Sequence, residues 1–201
     1  VVGRFIVDAG DVDVLSRHSV PRYRLSVAEY RRLGEAGILG EDDRVELLEG
    51  QLVAMSPIGP RHALVVDELM NLLMTAVAGR AWVRVQNPVT LDGATEPQPD
   101  IALVRRPWTG YPGAHPGPAD IFLLVEVADA SLETDTGAKL ELYARAGIGE
   151  YWVVDLVNNY VRVHRQPAGG TYTSITRVDP SEFLPVAALP GVEIPASPLF
   201  F

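Results

Sequence analysis

The chain contains no cysteine, so neither disulfides nor thiolate metal sites are available to it. No apolar run approaches the roughly 20 residues that cross a bilayer, and no membrane partner is expected. The first residues, VVGRFIVDAGDVDV, lack the basic segment that opens a secretory leader. The default expectation is a cytoplasmic protein. Basic charge is scarce too: 17 Lys and Arg stand against 26 Asp and Glu, for a formal net charge of −9. That balance argues against a broadly basic surface gripping nucleic acid. It leaves room for a locally basic cleft, or for an acidic site neutralised by metal. Also missing are a P-loop, a dinucleotide-binding glycine motif, a Gly-x-Ser-x-Gly elbow and a His-Glu-x-x-His pair.

What is present suits one globular domain. The 201 residues are 47% apolar and 21% charged, enough to bury a core. Residues 1–22 show no clean period and end at Val20-Pro21, which predicts an N-terminal arm ahead of a single domain over 23–201. Ser26-Val-Ala-Glu29 has capping-box spacing, so a helix is expected from Val27 to about Ala36. VELLEGQLVAM reads as two strands joined at Glu49-Gly50, with Glu46 on the first. From Arg61 to Ala78 the apolar residues follow the helical period. His62 lies on that stripe, and the plainer expectation for it is a partly buried imidazole bonded to a backbone carbonyl.

Trp82–Leu91 reads as a strand with an irregularity at Pro88, and Ile101–Arg105 as a short one. Residues 106–119 are rich in proline and glycine and predict a loop, of a length that often lies over a site. Ile121–Val127 reads as a buried strand, followed by a polar loop, a helix over Lys139–Ala146 and three strands from Tyr151 onward forming an antiparallel meander. The tail, Val178–Phe201, is expected to lie over the core through Phe183, Leu184, Leu189, Val192, Ile194 and Leu199. The sum is an α/β fold, a mixed sheet flanked by helices.

The chemistry gathers around Leu123–Asp155. Glu126 stands inside the apolar run IFLLVEV, where an ionised carboxylate is costly unless a cation or donor meets it. Two partners come to hand, a metal ion or Lys139. If the strands at 101–105 and 121–127 pair as antiparallel neighbours, Asp100 lies opposite Glu126, Ala102 opposite Leu124 and Val104 opposite Phe122. Adjacent carboxylates repel unless a cation lies between them, and oxygen-only ligands favour a hard ion such as Mg²⁺. Lys139 would then orient the attacking water or stabilise charge on the phosphorane. The same spacing also suits a solvated strand end with Lys139 in a surface ion pair. Tyr143 suits helix-face packing as well as a phenol at the site. Tyr151 and Trp152 suit the core, with base stacking as the minority reading. Arg84, Arg105, Arg106 and Arg145 are candidates for phosphate contact or plain solvated surface.

At these residues the chain resembles the Uma-type family of putative restriction endonucleases, members of the PD-(D/E)XK nuclease superfamily. The resemblance runs from about Tyr23 to Phe200. It is carried by Val45-Glu-Leu-Leu-Glu-Gly50, Ser56-Pro57 with His62, Pro99-Asp100, Val125-Glu126-Val127, and Asp135 with Lys139 and Tyr143. The most specific segment is Ala144-Arg-Ala-Gly-Ile-Gly-Glu-Tyr-Trp-Val-Val-Asp155. The resemblance implies a restriction-endonuclease-like core and Mg²⁺- or Mn²⁺-dependent hydrolysis of phosphodiester bonds. Nucleic acid, DNA first, is the implied partner, and a homodimer the implied assembly for cutting two strands. It implies Asp100 and Glu126 as metal ligands, the Val127 carbonyl as a third, and Glu46 as the holder of a water or second ion. Asp135 would orient Lys139 across one helical turn or cap the helix. One departure stands out. The superfamily lysine follows the acid by two residues, a position held here by Ala128, so Lys139 must supply the amine from the helix. The alternative is a non-catalytic binding or regulatory module that keeps the fold.

Overall fold

The computed structural model describes residues 21–40, 42–107 and 111–201. The expected arm lies outside the described residues except for Pro21 and Arg22, which are exposed and belong to no helix or strand. Helix α1 (Val27–Glu35) opens on the expected capping box, with Glu29 N–H donating to Ser26 Oγ (3.2 Å) and Ser26 N–H to Glu29 Oε2 (2.8 Å). Strands β1 (Val45–Leu48) and β2 (Gln51–Ala54) form a hairpin with Leu48 paired to Gln51. Its two loop residues, Glu49 and Gly50, both have positive φ (48° and 76°), the conformation that a tight two-residue turn between twisted strands requires. Glycine at 50 is also a steric need, because a Cβ there would sit 2.5 Å from the Arg24 Cβ.

Helix α2 (Pro60–Val77) carries Val65, Val66, Leu69, Leu73 and Val77 as one buried stripe. Truncating Leu69, which is fully buried, removes contacts worth about 2–5 kcal/mol. Then come β3 (Trp82–Val85), β4 (Ile101–Val104), β5 (Ile121–Ala128), α3 (Leu132–Thr136), α4 (Ala138–Arg145), β6 (Glu150–Asp155), β7 (Tyr160–Ala168) and β8 (Thr171–Val178). The six strands form one sheet in the order β3-β4-β5-β6-β7-β8. All neighbours are antiparallel except β5 and β6, which run parallel and are joined over the sheet by α3 and α4. The expected meander is β6-β7-β8.

Strand β5 lies inside the sheet and is covered on both faces, hence its nearly unbroken apolar run. Leu123, Val125 and Val127 pack with α2 and the C-terminal segment. Leu124 and Ala128 pack with Leu142 and Tyr143 of α4. Glu126 shares the α4 face by strand alternation.

Several local expectations differ from the structure. The strand from Trp82 ends at Val85, because Gln86 turns into the left-handed region (φ 48°) before Pro88 is reached. A bulge between Leu103 and Val104 shifts the pairing, so Val104 faces Ile121 instead of Phe122. The polar loop after β5 contains α3. The tail holds a small hairpin of β9 (Phe183–Pro185) and β10 (Glu193–Pro195). There Leu184, Leu189, Val192, Ile194 and Leu199 cover the core, but Phe183 points outward. Among the described residues no helix is long and apolar enough to cross a membrane.

Candidate active site

Asp100 comes to the site at the start of β4. The register pairs Ile101 with Val125 and Ala102 with Leu124, as expected; one residue further on, Asp100 stands opposite Glu126. Lys139 reaches the same place from the first turn of α4, and Glu46 from β1, whose hairpin lies over this end of the sheet. The Lys139 Nζ is 3.0 Å from Glu126 Oε1 and 3.2 Å from Glu46 Oε1. All four side chains are buried at the wall of one pocket of about 180 Å³, lined also by Ser56, Gly59, His62 and Asp135. Of 17 basic residues in the chain, Lys139 is the only lysine.

Each group is held by several partners. Asp100 Oδ2 is 3.0 Å from His62 Nε2 and accepts the Val127 N–H (2.9 Å), while Oδ1 accepts from Gln86 Nε2 (3.2 Å). Glu126 Oε1 accepts from Tyr143 Oη (2.8 Å) as well as from Lys139. Its other oxygen, Oε2, takes no hydrogen bond among the described residues. Glu46 Oε2 accepts the Gln98 N–H (3.1 Å). His62 therefore meets a carboxylate, not the backbone carbonyl of its plainer expectation, and Tyr143 both packs and donates into the site.

Asp135 departs from both of its expected roles. Helix α3 stops at Thr136 and α4 starts again at Ala138, so residues 135 and 139 do not share a helical turn. The carboxylate instead accepts a hydrogen bond from Ser131 Oγ (2.5 Å) and acts on Lys139 only through the local field. The break falls at Gly137, where a Cβ would lie 2.7 Å from the Glu133 carbonyl oxygen.

The described part of the loop over 106–119 does not cover the site. It follows the far end of β4, where Tyr111 packs edge-on to Trp82 and bonds the Arg105 carbonyl. The pocket is walled instead by residues 53–59 and 129–135. Tyr151 and Trp152 are fully buried, which removes base stacking as a role for either. Sequence reading also missed Gln86 and Gln98. Gln98 Nε2 donates to the Gln86 carbonyl (2.5 Å), so the two glutamines tie the Asp100 and Glu46 supports together. Apart from Gln98 lying between Pro97 and Pro99, nothing in the sequence marks them.

The electrostatics follow from four acids around one ammonium. Burial pushes the Glu126 carboxyl well above its ordinary range; Lys139 opposes this, while Asp135, Asp100 and Glu46 add to it. Burial likewise lifts Asp135 to about 6, against the pull of Lys139 and Ser131. Asp100 goes the other way: burial works to raise it, but His62, the Val127 N–H and Gln86 outweigh that and keep it ionised. Burial also works against the Lys139 ammonium, yet Glu126, Glu46 and Asp135 hold its proton more firmly than usual. The cluster is short of positive charge, and an added proton or a cation would relieve it.

A hard cation suits the donor set. Among the described residues no three His, Asp or Glu side chains gather into a metal-ligand group. Two carboxylates on adjacent strands are nonetheless enough for Mg²⁺, which fills its remaining positions with water and substrate oxygen. The Val127 carbonyl would be a further oxygen for such an ion. The N–H and C=O of Val127 point to the β4 side, and the register sets Pro99, which has no N–H, opposite it.

No curated protein matches the chain by sequence. Among solved structures, a putative nuclease belonging to DUF820 from Anabaena variabilis is similar with a TM-score of 0.70 at 17% identity, covering 88% of this chain and 97% of that one. That likeness is one of fold, and it agrees with the mixed sheet and its flanking helices. A family match extends over residues 27–197, most of the chain and all of the pocket's residues. By that match the chain belongs to the Uma2 family, described as putative restriction endonuclease.

Proposed function

We propose that this protein is an endonuclease that hydrolyses phosphodiester bonds of nucleic acid, with DNA as its substrate, in a Mg²⁺- or Mn²⁺-dependent reaction. The observation that carries the reading is the burial of the chain's single lysine between Glu126 and Glu46, beside Asp100. Sixteen arginines serve wherever else the sequence uses a basic side chain. A structural ion pair would be served equally well by arginine, whose guanidinium is a rigid fork. A compact ammonium is what a site needs in order to place one charged donor beside a water or a phosphate oxygen.

Asp100, Glu126 and the Val127 carbonyl would hold the ion, which when bound polarises the phosphate and lowers the pKa of a coordinated water. Asp100 stays ionised for that task, locked by His62, Gln86 and the Val127 N–H. Glu126 offers its free oxygen, while Tyr143 and Lys139 fix the other. The Lys139 ammonium donates toward charge developing on the phosphoryl group, and Glu46 sets the direction of that ammonium. Cutting both strands of a duplex takes two such sites, so the same reading expects a homodimer.

Plasmid nicking with Mg²⁺ or Mn²⁺ tests this. Asp100→Ala and Glu126→Ala are expected to abolish cleavage with the fold intact. Lys139→Arg, which keeps the charge, is expected to lose at least about 10²-fold. Equal cleavage by the wild type and the two carboxylate variants overturns the assignment. The second reading, a binding or regulatory module without hydrolysis, draws on the acidic net charge and on Ala128 at the superfamily lysine's position. Calorimetric Mn²⁺ binding with no turnover of any nucleic acid would select it.

A further inference from the structure

The arginines weighed for phosphate contact from sequence are mostly spoken for. Arg105 lies 3.8 Å from Asp120, Arg145 pairs with Glu49, and Arg106 bonds the Gly79 carbonyl. Arg84 is drawn into the sheet's face near Tyr111, and its Nε is buried. Arg44 is different. It precedes β1, and its carbonyl accepts the Met55 N–H (2.9 Å), which carries the hairpin ladder one step beyond the Val45–Ala54 pair. Strand alternation then puts residues 44 and 46 on the same face, about 7 Å apart. Both line the pocket.

Five carboxylates line that pocket with it: Glu46, Asp100, Glu126, Asp129 and Asp135. Arg44 forms an ion pair with none of them, and its guanidinium makes no hydrogen bond among the described residues. Lys139, by contrast, is held between Glu126 and Glu46. An unpaired guanidinium in so acidic a surrounding contributes nothing evident to the fold. Its planar fork matches the two non-bridging oxygens of a phosphodiester. Its spacing of two residues from Glu46 along the strand, about 7 Å, is the scale of one nucleotide step.

We propose that Arg44 anchors the DNA backbone phosphate next to the scissile one. This rests on the nuclease reading of the pocket and adds the binding contact that an acidic protein needs to hold a polyanion there. Arg44 is a binding residue: it sets register and affinity and takes no part in the chemistry.

The test measures binding of a short fluorescein-labelled duplex DNA by anisotropy across a salt series, with Mg²⁺ present. Glu126→Gln serves as the non-cleaving parent and is compared with the same protein carrying Arg44→Gln or Arg44→Lys. Arg44→Gln is expected to weaken binding about 10-fold or more. It should also flatten the slope of log K against log salt by about 0.9, the loss of one phosphate contact. Arg44→Lys should keep the slope and lose part of the affinity. In the otherwise wild-type enzyme, Arg44→Gln should raise KM and leave kcat unchanged, since the contact is made equally in the ground and transition states. An unchanged slope in the Gln variant, while the parent binds DNA, overturns the proposal and leaves the nuclease reading standing. A melting temperature that falls in step with the affinity assigns Arg44 to holding the hairpin and also overturns it. No binding by the parent, together with no cleavage by the wild type, sinks both readings.

Discussion

Two glutamates of the central sheet, Glu126 on β5 and Glu150 on β6, are buried almost equally, at 3% and 1% exposure, and each meets one cation. Their surroundings differ. Both oxygens of Glu150 are used: Oε1 accepts from the Arg165 fork (2.9 and 2.5 Å) and Trp152 Nε1 (2.9 Å), and Oε2 accepts the Ala187 N–H (2.7 Å). Glu126 has Lys139 and Tyr143 on one oxygen and leaves the other free beside a pocket. The first arrangement is closed, a charge whose partners are complete within the fold. The second is open and short of positive charge. Burial does not separate the two carboxylates; the completeness of their coordination does.

The sharpest way to break this comparison is to neutralise each acid in turn. Glu126→Gln is expected to abolish cleavage while leaving stability equal or higher, because it removes a poorly compensated buried charge. Glu150→Gln is expected to keep cleavage per folded molecule but lose about 1–3 kcal/mol of stability, since it leaves the half-buried Arg165 guanidinium with only the Pro185 carbonyl. Nicking assays paired with denaturant unfolding check both. Similar stability losses for the two variants would erase the distinction.

A smaller effect concerns His164, buried on β7 with neither ring nitrogen hydrogen-bonded among the described residues and stacked on Tyr151. Burial and nearby Arg162 lower its pKa from an ordinary 6.5 to about 4. The unfolded chain therefore binds the proton first as pH falls. This contribution to stability is complete above about pH 6.5 and disappears progressively toward pH 4, up to about 3 kcal/mol in all. Unfolding measured across that window should show the slope, and His164→Phe should flatten it. The smallest expected effect is that of Gly137→Ala, where the new methyl meets the Glu133 carbonyl. About 1–3 kcal/mol of stability should go, and the displaced start of α4 should carry Lys139 away from Glu126 and lower activity further than the stability loss explains. Activity tracking stability alone would show that the break merely turns the chain.

Local chemistry was the legible part of the sequence. Ser26 with Glu29 announced the start of α1, Glu49-Gly50 the hairpin, and the stripe from Val65 to Val77 the core face of α2, because each depends on residues within one or two turns of each other. The facing of Asp100 and Glu126 followed from parity along two strands joined by one loop. The bulge at Val104 was not legible, yet it lies beyond the pairs that fix the site and leaves them untouched. Asp135 was misplaced because four-residue spacing implies a continuous helix, and Gly137 interrupts it. Gln86, Gln98 and Arg44 carried no signal, since their partners lie on other elements. The solitary lysine is visible in the sequence, but nothing there says that two glutamates from separate strands surround it.

The sequence by itself determined the elements, the apolar faces that force them into a mixed sheet under helices, and the placing of an acid inside a buried strand. Periodicity and turn chemistry act over a few residues and can be read there. Only the tertiary structure decided that β1 brings Glu46 to Lys139, that His62 locks Asp100, and that Glu150 is closed while Glu126 stays open. Those outcomes depend on which oxygens find donors across the fold, and donors arriving from distant segments leave no mark on the residues that receive them.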